Sequence, residues 1–188
     1  MTDYQQVFAA IAADPRYLAN LDWGEARPGH PEGTLRAHIA ELKRNLQALR
    51  PQLSDEEAWK LRVLIHTHDT FKPQARVDVP ISNAHSHALL ARAFLATHCD
   101  DLELLTIVQF HDEPYAIYLQ QRSKGQYNRE RMAALLQNIG DWDLFLAFAI
   151  IDGCTAGKSR EPLQWLFHEL AGRIESRFSA ADILLPGQ

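Results

Sequence analysis

The chain has 188 residues, 46% of them hydrophobic, and carries 24 acidic against 19 basic side chains for a net charge of −5. That composition suits one compact domain. The acidic balance, with no basic arm, argues against nucleic acid as the main partner while leaving room for a local cationic pocket and a small phosphorylated ligand. No apolar run approaches the roughly 18 residues of a membrane span. The opening "MTDYQQVFAAIAADP" lacks the features of a signal peptide, and Cys99 and Cys154 have no metal-ligand spacing, so a reduced, cytoplasmic protein is expected.

Apolar spacing is helical nearly throughout, and no stretch sustains period-two alternation, which predicts an all-α fold. Helices are expected at about 3–13, 33–49, 54–68, 84–98, 101–111, 114–122, 128–138, 141–153 and 161–178. Thr34 stands near the start of the second. Ser54 with Glu57 forms a capping box for the third, and Ser82 or Asn83 precedes the fourth. Pro114 suits a first helical turn. "DWGEARPGHPEG" (22–33) and "FKPQARVDVPIS" (71–82) read as loops, and the tail "LLPGQ" (184–188) as a frayed end. No repeat or linker divides the chain, so 1–188 is read as a single domain.

Helical faces then sort the histidines. His68 continues the stripe of Leu61, Leu64 and Ile65, whereas His66 falls with Arg62 and is expected to point outward. Asp69 lies about 100° round from His68. His38 joins Leu35, Ile39, Leu42 and Leu46. His87 shares a face with Leu90, Ala91 and Phe94; His85, two residues earlier, lies with Arg92 and is the competing candidate. His111 continues Leu104, Ile107 and Val108, and Asp152 continues Phe145, Phe148 and Ala149. A single inward histidine is ordinarily a core residue with a hydrogen-bond partner. Four, with two carboxylates that cannot be buried unpaired, are satisfied together by a divalent transition metal such as Fe, Mn, Co, Ni or Zn. Elsewhere His98 reads as a helix-end residue, His30 as a loop residue, and Arg122, Lys124, Arg129 and Arg131 as a solvated face.

The order His38, His68-Asp69, His87, His111, Asp152, with "HDTFK" carrying Lys72 three residues after Asp69, resembles the HD-domain superfamily of metal-dependent phosphohydrolases. The resemblance runs from about 33 to 160. It departs from common forms at Thr70-Phe71 and lacks a Gly-Tyr-Pro signature after His111, which disfavours cyclic-di-GMP as substrate. It implies a compact helical bundle around a central site with one or two metals. His38, His68, Asp69 and Asp152 would hold the first, and His87 and His111 the second, with Asp69 bridging. It also implies hydrolysis of a nucleotide or other small phosphoester by a water whose pKa the metal lowers towards roughly 7.

Asp69 and Lys72 are then the expected catalytic residues. Lys72 either faces the phosphoryl group or pairs with Asp69. Lys158 and Arg160 either bind further phosphate or belong to a solvated loop. Two other readings stand beside it: an HD-like di-iron oxygenase acting on a small molecule, which uses the same ligand set, and a degenerate, non-catalytic HD domain for ligand sensing or protein contacts, against which the complete ligand set argues. Self-association is left open.

Overall fold

The computed structural model describes residues 2–77 and 79–185, and among them there are helices and turns but no strand. The order is α1 Tyr4–Ala13, α2 Pro15–Leu18, α3 Leu35–Leu49, α4 Asp55–Thr67, α5 His87–Leu95, α6 Leu102–Phe110, α7 Glu113–Lys124, α8 Arg129–Asn138, α9 Trp142–Gly153 and α10 Glu161–Leu170. The expected all-α fold is therefore present. No single described helix is long and apolar enough to cross a membrane. The last three residues of the 184–188 tail lie outside the described residues.

Local chemistry sets most boundaries. Ser54 and Glu57 close the expected capping box on α4, and Thr34 caps α3 through the Ala37 amide. Three boundaries differ from the sequence reading. The fourth predicted helix begins at His87, because Ser86 rather than Ser82 or Asn83 caps it by accepting from the Leu89 amide. Pro15 starts the short α2, which apolar spacing over four residues could not reveal. The last helix stops at Leu170 instead of about 178. Gly172 turns the backbone to a φ of +73°, after which Phe178 returns to the core and Asp143 accepts from Ser176 and the Arg177 amide.

Two helices form the centre. α4 packs against α1, α3, α5, α6 and α9, so nearly its whole circumference is covered. Leu61, Val63, Leu64 and Ile65 are all buried. In α9, Leu144 through Phe148 and then Ile150 and Ile151 are buried as well. A helix apolar on every side belongs in the middle of a bundle. Gly153 at the end of α9 lets α10 come close, since a Cβ there would meet Leu163 Cδ1 at 2.7 Å.

Candidate metal centre

The end of α4 supplies His68 as its C-cap and Asp69 just beyond. Thr70 donates its hydroxyl to the His66 carbonyl, tying that end down. The first turn of α3 brings His38, and the penultimate position of α9 brings Asp152. The first residue of α5 is His87, and the corner between α6 and α7 presents His111 and Asp112. The structure thus gathers all six residues expected from the face argument. It selects His87, since His85 is exposed.

Asp69 stands between two sets of imidazoles. Its Oδ2 lies 3.5 Å from His68 Nε2 and 3.9 Å from His38 Nε2. Its Oδ1 lies 3.5 Å from His111 Nε2 and 3.8 Å from His87 Nε2. Asp152 Oδ1 closes the first set, 3.2 Å from His38 Nε2 and 3.9 Å from His68 Nε2. Within each of the groups His38–His68–Asp152 and Asp69–His87–His111, one ligand atom per residue falls within 4.8 Å of the others. One carboxylate facing two donor sets is a bridging arrangement.

The tautomers can be assigned from what the other ring nitrogens touch. His68 Nδ1 lies 3.2 Å from the carbonyls of Leu64 and Ile65, and His111 Nδ1 lies 2.7 Å from that of Val108. Carbonyl oxygens only accept, so Nδ1 carries a proton in both rings and Nε2 points inward, as a lone pair on neutral His68 and as the atom from which His111 must give up its second proton to a metal. His38 Nδ1 donates to Glu32 Oε1 at 2.9 Å, with the same result. Three atoms then stand out: His38 Nε2, His68 Nε2 and Asp69 Oδ1 are buried without a hydrogen-bond partner of acceptable geometry. Buried polar atoms in that condition cost stability unless a ligand satisfies them. Their convergence, and the N/O character of the set, fit a divalent transition metal.

The charges follow from position. Burial pushes the Asp69 carboxyl up, but Lys72, His68 and His111 outweigh it and hold it well below the usual range. Asp152 is likewise lowered against burial, by Lys158, His38 and His68. Burial, helped by the neighbouring His111 and His38, drives His68 down to about 3 against the pull of Asp69 and Asp152. Burial opposes the charge on His111, yet Asp112 and Asp69 prevail and raise it to about 9. A metal at His111 must therefore displace a proton.

Lys72 Nζ is 2.5 Å from Asp69 Oδ2, the ion-pair alternative raised by the sequence. Lys158 Nζ is 2.9 Å from Asp152 Oδ1. Both lysines line a cavity of about 500 Å³ whose floor includes Asp69, His111 and Asp152 and whose wall includes Tyr118 and Leu166.

Arg160 is a correction. It was expected as a phosphate-binding candidate, but its guanidinium donates to the carbonyls of Gly153, Cys154, Thr155, Lys158 and Leu184. Its donors are spent on fastening the turn after α9. His66 is a second correction. It is 8% exposed rather than outward, 2.6 Å from the Tyr17 hydroxyl and edge-on to Phe8. The one-face argument failed there because α4 is covered by α1 as well. Of the basic residues read as a solvated face, Arg131 forks onto buried Glu113 and Arg122 reaches the cavity.

Three residues near the centre were missed. Asp112 Oδ2 lies 3.1 Å from His87 Nε2. The Glu32 side chain is 3% exposed and accepts from both His38 and His30 through one oxygen. His30, read as a plain loop residue, lines the cavity. The second His-Asp dipeptide at 111–112 was a visible sign of Asp112. For Glu32 and His30 the only sign was two polar residues in a Pro/Gly loop just before a ligand-bearing helix. No family model matches this chain, and no curated protein or solved structure does either.

Proposed function

We propose that this chain is a metal-dependent phosphohydrolase acting on a nucleotide or another small phosphoester, as its resemblance to the HD-domain superfamily implies. The observation that carries the reading is the division of the Asp69 oxygens between two imidazole sets, with an ammonium group beside each ligand carboxylate on the cavity side. His38, His68, Asp69 and Asp152 would hold one ion, and Asp69, His87 and His111 a second. A bound divalent metal supplies Lewis acidity and an acidified water.

The chain's own groups do the rest. Lys72 and Lys158 set positive charge where phosphoryl oxygens arrive. Glu32 and the backbone carbonyls keep His38, His68 and His111 in the metal-binding tautomer. The wall at Tyr118 and Leu166 holds the esterified group and excludes water from that side. The lysines favour a phosphoester over the di-iron oxygenase reading, whose ligand set is the same. A reducing cytoplasm suits the two free, buried cysteines.

The test is elemental analysis of protein purified without chelator, run beside assays of phosphate release from a panel of phosphoesters and of oxygen uptake. One to two transition-metal ions per chain with phosphate release are expected. Oxygen uptake without phosphate release would replace the reading with the oxygenase. A folded protein that takes up no divalent metal would remove both.

A further inference from the structure

His30 sits on a loop built to hold it. Its backbone closes an antiparallel bridge with Arg27, with N···O distances of 3.1 and 2.8 Å. Gly29 takes a φ of +82° within that turn, a conformation in which most side chains are strained. Underneath, the loop rests on Gly157, where a Cβ would come within 2.8 Å of Pro31 Cδ. The turn that carries Lys158 and the loop that carries His30 therefore meet directly, and both line the cavity.

The ring is also oriented. Its Nδ1 lies 3.0 Å from Glu32 Oε1, and Glu32 is held by His38 on its other side. A carboxylate only accepts, so His30 Nδ1 carries the proton and the neutral ring's Nε2 is an acceptor. No protein group among the described residues donates to it. The charged groups that share the cavity with it, Lys72, Lys158, Asp69 and Asp152, deal with a phosphoryl group and its metals, and much of the remaining lining is apolar or aromatic, as at Tyr118, Phe148 and Leu166. An oriented acceptor among them has no use for a phosphoryl oxygen, which is itself an acceptor. Its complement is a hydroxyl donor on the esterified part of the ligand.

We propose that His30 is a specificity-determining residue that accepts a hydrogen bond from a substrate hydroxyl close to the ester carbon, so that the site takes phosphoesters of polyhydroxylated alcohols in preference to plain alkyl ones. Glu32 is the positioning residue for it. The proposal rests on the phosphohydrolase reading for the phosphoryl half of the ligand and adds the chemistry of the other half. A site with an acceptor for a substrate hydroxyl discriminates against the analogue that lacks it, because the acceptor is then left unpaired. His30 is partly exposed, so a preference of about ten- to a hundredfold is expected rather than the larger ratios of fully buried sites.

Glycerol 2-phosphate and isopropyl phosphate share one carbon skeleton and differ in two hydroxyls, which makes them the probes. Calorimetric titration of Mn²⁺-loaded protein reads binding as injection heat and turnover as a displaced baseline. The parent should bind glycerol 2-phosphate at least about tenfold tighter, and His30→Phe should bring the two esters within about twofold while keeping metal content and melting temperature. His30→Ala, which adds no bulk, should give the same collapse. A ratio unchanged in both variants, a parent with no preference, or a parent that binds neither ester overturns the proposal. An equal loss of turnover on both esters with the binding ratio intact also overturns it, and points to His30 acting on water. If the binding preference holds and collapses as expected with no turnover on either ester, the hydroxyl assignment stands and the hydrolase reading falls.

Discussion

The two halves of the candidate metal centre are built by different means. On the deep side, His38 and His68 are 4% and 1% exposed, and each ring is fixed through Nδ1 by a buried carboxylate or by backbone carbonyls. On the outer side, His111 is held in the same way, 1% exposed with Nδ1 on the Val108 carbonyl, but its partner His87 is 21% exposed, opens a helix straight after a long loop, and among the described residues nothing fixes its Nδ1. Asp112, its nearest carboxylate, is 41% exposed to the cavity. Ligands oriented before metal arrives lose less freedom on binding it, so the deep half should bind first and more tightly. The outer half, carrying a proton on His111 in the absence of metal, should fill second.

The largest effect that bears on this difference is loss of the residue both halves share. Asp69→Ala should leave less than about a tenth of the metal and lower phosphoester turnover on the order of 10³-fold, measured by elemental analysis and phosphate release. The sharper test separates the halves. His68→Ala should abolish binding of both ions, whereas His87→Ala should remove only one equivalent and His85→Ala none; equal losses from His68→Ala and His87→Ala would erase the distinction.

Glu32→Ala should weaken the first ion by about 10- to 100-fold, as loss of a ligand's orienting partner does, and should leave the second less affected. Competition with a metal-binding dye would read it.

His66, two residues from His68, serves as the control that has nothing to do with metal. Burial holds its pKa down at about 4, below the roughly 6.5 of a free imidazole. A depressed folded pKa means that the unfolded chain binds the extra proton. The neutral ring's contribution is therefore present above about pH 6.5 and lost as the pH falls towards 4. The shift corresponds to about 3 kcal/mol. His66→Phe should flatten the fall in melting temperature between pH 7 and pH 4 without changing metal stoichiometry. The smallest effect is expected at Arg160. Arg160→Ala should cost about 1–2 kcal/mol of stability and leave KM for a phosphoester within about twofold.

The parts of the site legible in the sequence are those where a polar ligand continues an apolar helical stripe. His38 among Leu35, Ile39 and Leu42 is such a case, and so are His111 after Ile107 and Val108, and Asp152 after Phe148. Periodicity finds these because the helix itself aims them. It misplaced His66 because a stripe argument assumes one buried face, while α4 is covered on nearly every side; Val63, apolar and off the stripe, was the sign of that. It could not find Glu32 or His30, whose direction comes from a loop with three glycines at positive φ, Gly24, Gly29 and Gly33. Arg160 was misread for a related reason. A cation in a loop looks available for phosphate until the carbonyls left over at the end of α9 are counted against it.

The central place of α4 has a consequence for how the chain breathes. A helix covered by five others opens to solvent only when most of the molecule does, so its amides should exchange hydrogen at close to the rate set by global unfolding. His68 and Asp69 hang from the end of that slow-exchanging segment. Among the described residues, the stretch that leads into α5 has few such contacts: Val77 is 86% exposed, and a few hydrogen bonds, such as Arg76 N to the His85 carbonyl, pin it down. It should exchange through local opening, at a far lower free energy. Metal should then leave the exchange of α4 almost untouched in the native baseline, while slowing that of residues 79–90 in proportion to occupancy of the outer position.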